Sequence, residues 1–414
     1  MNSHHPARAG LAAGAALGLV VALAACSADA GASSDQSFEI WDEVVAAAEG
    51  QTVKLWMWGG DEQGNSYVND VLVPAAAEQG VTLEQVPLAD TADALNRILS
   101  EVQAGESDGE VDLVWVNGNN FGTGKEAGAW ECGWTDLLPN MALTAPGDPL
   151  LQNDFGTPVD GCEAPWHKAQ FTFVYNSDTV TDVPATLDEL LDWARANPGR
   201  FTYPAPPDFT GSVFIREVLY SVSGGTDAVP LAYSDEAFTE LSPALYDELA
   251  DLAPSLWRGG ETYPQSSTEL DQLFADGQVD FTMTYGPATL TELVSNGTYP
   301  QGTRVLTFEE GTVGNASFLG LASTSGSKAG AMVVANLALS VEQQVTKAEP
   351  SVWGQFTVLD LEQLSGEDRA LFEALPSSPV VPSYDVLSEN ANPELAAAWV
   401  TPLDEGWRAQ VLAR

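Results

Sequence analysis

Short apolar segments alternate with helical patterns in the first third of the chain. The segment TVKLWMW at Thr52–Trp58 predicts a strand, and residues 81–87 and 111–116 predict two more. Between them, helices are predicted over 67–78 and from a cap at Thr91, where apolar residues recur at helical spacing. Strand, helix, strand, helix, strand is the order of an α/β unit with parallel strands. The fold class predicted from this order is α/β.

The same alternation starts again near residue 170. Residues 170–175 (QFTFVY) predict a strand, and Thr186 opens a helix with a capping box. A short strand is predicted at 201–203, a helix from a cap at Ser242, and a further strand at 279–285. A second α/β unit therefore follows the first, and the spacing is not that of a solenoid repeat.

The stretch VNGNNFGTGKE invites comparison with a phosphate-binding loop. That motif has four residues between its glycines and a Ser or Thr after its lysine. Here Gly118 and Gly124 enclose five residues, and Glu126 follows Lys125. An anion at that position would repel a polyphosphate, so the sequence does not favour a nucleotide loop.

Polar and aromatic residues follow several of the predicted strands. In open α/β sheets, ligands bind beyond the carboxyl ends of the strands. Glycines, amides, a hydroxyl and aromatic rings in these loops predict a cleft for a small molecule, although Asn-Gly and Gly-Gly are also ordinary turn sequences. The loops are Trp58-Gly59-Gly60, Asn117-Gly118-Asn119-Asn120, Asp208-Phe209-Thr210-Gly211 and Tyr285-Gly286-Pro287.

The N-terminus has the pattern of a bacterial lipoprotein signal. A basic start with Arg8 precedes an apolar run over 11–25, which ends at Leu23-Ala24-Ala25-Cys26. We expect residues 1–25 to be removed, Cys26 to carry lipid on the outer face of the bacterial membrane, and residues 26–37 to be a flexible tether. An ordinary signal peptide with a cysteine at that place is the alternative.

Charge and length narrow the classes of partner. The 414 residues are 44% hydrophobic, which suits two folded domains, and their net charge is -44. Such a chain repels nucleic acid and anionic lipid, so neither is expected to bind the folded body. A solvated acidic surface explains this charge without any ligand.

Cysteine and histidine usage constrains the chemistry further. Cys132 and Cys162 remain after the lipidated cysteine, and an oxidising compartment favours a disulfide between them. His167 is the one histidine beyond the signal, which argues against a histidine-rich metal site and leaves a serine triad without a matching elbow motif. A glycosidase that uses two carboxylates stays open.

Several longer blocks resemble extracellular solute-binding proteins of ABC importers, in the periplasmic-binding-protein superfamily. They are the lipobox, FVYNSDTV, STELDQLFADGQVDFTMTYGPATL and VLTFEEGTVGNASFLGLASTSGSKAGAMVVANLALSVEQQ. VWVNGNNF and EAPWHKAQFTF look similar to the YnjB-like branch, which is itself similar to thiamine-, polyamine- and iron-binding relatives. The resemblance covers nearly all of residues 38–414.

The resemblance implies a two-lobed, type II-like fold with two crossing strands at its hinge, near 168–174 and 305–310. One lobe would be 38–167 plus about 306–345, the other about 168–305, and 346–414 would be helices packed on the lobes. A solute that contacts both lobes would stabilise a closed form, which the permease and ATPase subunits then recognise. The chain would act as a monomer, without enzymatic activity or cofactor.

Carried onto this sequence, the resemblance gives a set of candidate solute contacts. Aromatic rings would stack on a flat or cationic group, and amides and hydroxyls would orient it. The candidates are Trp58, Gly59, Asn117, Asn120, Trp166, Gln170, Phe209, Thr210, Tyr285 and Ser317. Trp58 and Trp166 fit a core position equally well, His167 is expected to be packed, and the absence of adjacent tyrosines argues against metal capture.

Three functions remain open at this point. The first is a binding protein for a small organic solute, for which Asp61, Glu62 and Asp208 favour an organic cation over an uncharged sugar. The second is an extracellular carbohydrate hydrolase that uses a carboxylate pair. The third is a lipoprotein that binds another protein.

Overall fold

The chain folds into an α/β structure whose computed structural model describes residues 38–145 and 147–413. The predicted signal, Cys26 and the tether lie outside the described residues. The strands are β1 (Thr52–Trp58), β2 (Thr82–Leu88), β3 (Leu113–Val116), β4 (Asn153–Asp154), β5 (Thr157–Pro158), β6 (Glu163–Gln170), β7 (Thr172–Asn176), β8 (Phe281–Thr284), β9 (Thr303–Leu306) and β10 (Gly314–Leu321).

Helices account for much of the remaining described chain. They are α1 (Trp41–Ala48), α2 (Glu62–Tyr67), α3 (Val73–Glu78), α4 (Thr91–Ala104), α5 (Asn119–Glu126), α6 (Pro149–Gln152), α7 (Leu187–Ala196), α8 (Phe209–Ser223), α9 (Asp235–Leu252), α10 (Ser267–Ala275), α11 (Leu290–Ser295), α12 (Lys328–Ala338), α13 (Val341–Ala348), α14 (Gly366–Glu373), α15 (Tyr384–Ser388) and α16 (Val400–Trp407). A π turn at Val68–Leu72 joins α2 to α3. Among the residues described, we find no helix with both the length and the apolarity that a membrane crossing requires.

The larger sheet has the order β2-β1-β3-β10-β6. β1 runs parallel to β2 and β3, while β10 runs antiparallel to β3 and β6. The carboxyl ends of the first three strands therefore lie at one edge, together with the start of β10. This is the edge at which a parallel sheet presents its ligand loops.

The smaller sheet has the order β8-β7-β9 and is antiparallel. β6 passes into β7 through Phe171, whose N–H donates to the Val313 carbonyl at 2.9 Å. Beside it, Nε2 of Gln170 donates to the Thr312 carbonyl at 2.6 Å. The chain thus crosses between the sheets twice, through β6 and β7 and again from β9 to β10, which agrees with the predicted two-lobed fold.

Each sheet has its own hydrophobic core. Leu55, Phe318 and Trp353 belong to the core of the larger sheet, and Phe173, Phe214 and Trp399 to that of the smaller sheet. The C-terminal part therefore contributes to both, since Trp353 precedes α14 and Trp399 precedes α16. The family resemblance implies helices packed on the lobes here but does not say which sheet each of them covers.

Helix caps explain most of the boundaries and also the errors in their prediction. Thr186 Oγ1 accepts from the Glu189 N–H at 3.2 Å, as the capping box predicts for α7. Asp90, rather than Thr91, caps α4, because its carboxylate accepts from the Ala92 N–H at 2.8 Å. The predicted cap at Ser242 is wrong: α9 begins after Ser234 and continues through Pro243.

The predicted strand at 201–203 is also wrong. The segment is buried, but its backbone bonds to a loop, since Trp257 N–H donates to the Phe201 carbonyl at 2.8 Å. An apolar run shorter than four residues does not distinguish a strand from buried loop. The predicted disulfide between Cys132 and Cys162 is present.

Candidate functional site

The loop after β1 holds an exposed tryptophan on a tight turn. Trp58 is 42% exposed, and its ring lies against the position of Gly60, where a side chain would collide with it. Gly59 N–H donates to the Leu88 carbonyl at 2.8 Å, which ties this turn to the end of β2. The ring therefore faces solvent from a fixed backbone, as a stacking residue requires.

The loop after β3 is held by a buried carboxylate. Gly118 has a φ of +64°, and its N–H lies 2.7 Å from both carboxylate oxygens of Asp154. In a nucleotide loop this N–H would donate to a phosphate. Here it already donates to Asp154, which agrees with a sequence that does not favour a nucleotide loop. Asn117 and Asn120, half-buried, flank it on either side.

Burial dominates the chemistry of Asp154. Loss of hydration raises the pKa of its carboxyl from 3.8 to about 8, against the hydrogen bond from Gly118, and the charge of Glu394 adds to the rise. Glu163 lies near it with no hydrogen-bond partner for either oxygen among the described residues, and burial raises its pKa well above the usual range. Burial therefore favours the protonated form of both carboxyls.

The melting temperature should consequently depend on pH through Asp154. Its folded-state pKa exceeds the unfolded value, so the stabilisation is complete below pH 3.8 and is lost as pH rises towards about 8. Asp154→Asn keeps an acceptor for Gly118 but does not ionise, and we expect its melting temperature to fall less between pH 5 and pH 8.5. Glu163, and Glu217 of α8, whose pKa burial also raises to about 8, remain in the variant and retain part of the fall. Equal slopes for both proteins, measured by circular dichroism, would refute this assignment.

A row of aromatic rings leads from the larger sheet to the smaller one. The Phe155 ring packs on Gly118, since a Cβ placed on Gly118 would lie 3.2 Å from the ring. Ring centroids are then 6.1 Å apart between Phe155 and Phe209, and 5.2 Å apart between Phe209 and Tyr285. Phe209 is 44% exposed, at the first position of α8, and Tyr285 directly follows β8. The predicted loops after β3 and β8 are thus brought together.

Phe155 is a member of this row that the sequence does not predict. No strand or helix pattern marks it, because β4 and β5 have two residues each. The turn Phe155-Gly156 has positive φ at both residues, and Gly156 was the available signal for a hairpin. Phenylalanine at the first position of a two-residue turn is not a residue type from which such a hairpin is predicted.

A buried ion pair lies beneath this row of rings. The Arg216 guanidinium donates to Glu394 through Nε at 2.6 Å and Nη2 at 3.1 Å, and both side chains are almost fully buried. Burial opposes the charge of Arg216, but Glu394 more than offsets this and raises the pKa of Arg216. The Tyr285 hydroxyl lies 3.5 Å from the same carboxylate. The Tyr285 hydroxyl thus lies beside an ion pair whose two members are 178 positions apart in the sequence.

Two predicted acidic residues at the site act as helix caps. Asp61 accepts from the Gly64 N–H at 3.1 Å and from Nε1 of Trp353 at 2.6 Å. Asp208 accepts from the N–H groups of Thr210 and Gly211 at 3.0 Å each, at the start of α8. Both already have hydrogen-bond donors, so they would act on a cation at a distance rather than as free ligands.

Four of the predicted contacts lie in the interior. Trp166 is fully buried among Trp115, His167 and Trp353, with ring centroids 5.2–5.6 Å away. Gln170, Thr210 and Ser317 are also buried, the first and last of them on the crossing strands. A solute does not reach Trp166 in this conformation, which leaves the exposed rings as the stronger candidates. Loss of hydration, and then the charge of Lys347, lowers the pKa of His167 well below its usual value, as expected of a packed neutral imidazole.

A cavity of about 1260 Å³ lies elsewhere, and none of the predicted site residues lines it. Its walls include Lys168, Gln355, Phe356, Thr291 and Tyr384. Lys168 is already paired with Asp148 at 2.7 Å. Among the described residues no cluster of three or more His, Cys, Asp or Glu side chains is arranged to hold a metal ion.

Known proteins resemble this chain over most of its length. A family model described as bacterial extracellular solute-binding protein matches residues 70–367. Protein YnjB of Escherichia coli strain K12 is 37% identical over 369 residues, which cover 89% of this chain and 92% of YnjB.

Two solved structures share the fold at low sequence identity. A putative spermidine/putrescine ABC transporter from Listeria monocytogenes has a TM-score of 0.59 at 16% identity and covers 87% of this chain and 98% of its own. A periplasmic thiamin binding protein has a TM-score of 0.56 at 16% identity and covers 87% of this chain and 96% of its own.

Proposed function

We propose that this chain, which belongs to the family of bacterial extracellular solute-binding proteins, captures a small organic solute between two lobes for an ABC importer. The lobes would be residues 38–167 with about 306–345, and about 168–305, with 346–414 packed on both. Solute contact with both lobes stabilises the closed form, and the permease and ATPase subunits receive the solute from it.

The observation that carries this proposal is the row of rings from Phe155 through Phe209 to Tyr285. It joins the ligand edge of the larger sheet to the end of β8 in the smaller sheet. Trp58 and Phe209 both expose more than two fifths of their surface. A flat solute that stacks on either ring would bury part of that apolar surface.

The solute class we favour is an organic cation. Aromatic faces attract cations, and the carboxyl groups of Asp61 and Asp208 lie at the ends of the same loops. The net charge of -44 repels anions throughout. Two structures of the same fold are named for thiamin and for spermidine/putrescine, which carry positive charge at neutral pH.

A hydrolase is less well supported. The carboxyl pair that the structure brings together, Asp154 and Glu163, is buried, and both groups have raised pKa values. A glycosidase needs its two carboxyls on either side of a bound sugar. No observation at Asp154 or Glu163 provides access for such a substrate.

Thermal melting of the chain from Ser27 onward tests the proposal. The panel would contain thiamine, spermidine, putrescine and, as an uncharged control, a neutral hexose. A solute at about 1,000 times its dissociation constant adds roughly 4 kcal/mol to stability, so a binder raises the melting temperature visibly. If no cation shifts the melting temperature while the hexose does, the cationic class is wrong.

Lipid attachment at Cys26 is proposed on the signal pattern that precedes it. We expect wild-type protein to incorporate labelled palmitate in bacteria and to sediment with membranes, because a lipidated first residue anchors the chain to the outer face. Cys26→Ala should abolish the label, while Ser27→Ala should keep it. Palmitate incorporation that persists in Cys26→Ala would rule out this anchor.

A further inference from the structure

The hairpin of β4 and β5 places a phenylalanine where its backbone is least suited to one. Asn153 pairs with Pro158 and Asp154 with Thr157, so Phe155 and Gly156 form a two-residue turn. Their φ angles are +43° and +71°, as in the turn type that favours Asn, Asp or Gly at the first position. A bulky residue held at positive φ is a sign that its side chain serves a purpose at that place.

The base of this hairpin is attached to the larger-sheet side. Asp154 accepts from the Gly118 N–H, and Lys125 of α5 bonds to the Pro158 carbonyl and to Asp160 at 2.7 Å. The disulfide at Cys162 holds the segment that leads into β6. The hairpin therefore belongs with the elements around β3.

Its tip contacts elements of the smaller-sheet core. The Phe155 ring lies 6.1 Å from the ring of Phe209 and 5.5 Å from the Arg216 guanidinium, both on α8. Its carbonyl accepts from the Ala397 N–H at 3.1 Å, next to Trp399 of the same core. Gly156 packs closely on Ala396, because a Cβ placed on Gly156 would lie 3.1 Å from the Cβ of Ala396. The ring is only 4% exposed as a result.

We propose that Phe155 is a positioning residue of the solute site, which docks the larger-sheet lobe onto α8 and orients the stacking face of Phe209. This rests on the proposed function, since it assigns the residue to the same site. Separation of the lobes would withdraw the ring from Arg216 and Phe209 and break the bond to Ala397. Phe155 thus favours the closed arrangement before any solute binds, and it also borders the wall against which a solute stacks.

The test uses a variant that removes the ring but suits the turn. Phe155→Asn places a residue that tolerates positive φ at this position, so the hairpin itself should form at least as well as in the wild type. Nitroxide labels at Ala89→Cys and Thr268→Cys, which are exposed positions at the ends of β2 and α10, report the separation of the lobes by pulsed electron resonance. The chain from Ser27 onward lacks Cys26, and Cys132 and Cys162 are bonded to each other, so the labels attach at the two introduced cysteines.

Without solute, we expect the Phe155→Asn distance distribution to extend to longer separations than that of the wild type. For whichever of thiamine, spermidine or putrescine binds the wild type, we expect the dissociation constant to rise about tenfold or more. Phe155→Leu, which keeps apolar bulk, should fall between the two. A distance distribution identical to that of the wild type would overturn the proposal. Failure of all three cations to bind the wild type would count against the proposed function instead, because the distance measurement needs no solute.

Discussion

Arg216→Met is expected to lower the free energy of unfolding by about 3 to 5 kcal/mol. The substitution removes the charged partner of Glu394 and leaves its carboxylate buried. Among the described residues, the remaining hydrogen-bond donors to it are the Leu395 N–H at 3.1 Å and the Tyr285 hydroxyl at 3.5 Å. Methionine fills much of the same volume, so the loss reports the stranded charge rather than a cavity. Urea unfolding at pH 7, followed by tryptophan fluorescence, measures the effect.

The double variant Arg216→Met with Glu394→Gln provides the internal test. It removes both charges, and we expect it to recover at least half of the loss, because a buried ion pair adds little compared with a neutral pair. Arg195→Met is the matched control, since Arg195 pairs with Glu248 and Asp251 at the surface and should cost at most about 1 kcal/mol. If Arg216→Met costs no more than Arg195→Met, the buried ion pair does not support the site.

Trp58→Ala and Phe209→Ala should each remove most of the solute-dependent rise in melting temperature. Both rings expose more than two fifths of their surface, so their truncation costs less stability in the free protein than that of Tyr285, which lies against Glu394. A tenfold loss of affinity lowers the stabilisation at fixed solute concentration by about 1.4 kcal/mol, and loss of one stacking face should exceed that. The measurement is the melting temperature with and without the best cation of the panel.

Val183→Ala is the matched control for these two variants. Val183 is 43% exposed and precedes α7, away from the loops at the strand ends. Its truncation should leave the solute-dependent rise unchanged. Rises equal to that of the wild type in both Trp58→Ala and Phe209→Ala would mean that neither ring contacts the solute.

Sequence signals predict an element correctly where its apolar pattern and the residues at its ends indicate the same boundaries. β1 has the predicted bounds, and α7 starts at Thr186 as its capping box requires. The errors occur where a competing cap lies nearby, as Ser234 does upstream of Ser242, or where a segment is too short to have a period, as at 201–203. Helix propensity and turn chemistry act over a few residues, whereas the choice between two caps, or between a strand and a buried loop, depends on tertiary packing.

The candidate site is predictable from the sequence only in part. The loops after β1, β3 and β8 follow from the rule that ligands bind beyond strand ends, and the structure brings two of them together through Phe155 and Phe209. The sequence does not predict that Trp166 is buried, because aromatic residues occur both in hydrophobic cores and in binding sites. Nor does the pairing of Arg216 with Glu394, since nothing in either segment specifies a partner so distant in sequence.

Hydrogen–deuterium exchange on addition of the best-binding solute distinguishes capture between two lobes from binding elsewhere on the protein. If a solute is held between the lobes, amide exchange should slow together in the loops that follow β1, β3 and β8 and in the first turn of α8. Those segments belong to both sheets, and the 1260 Å³ cavity walled by Phe356 and Tyr384 should show no comparable change. Slowed exchange confined to that cavity, or to the loops of one sheet, would contradict capture between two lobes.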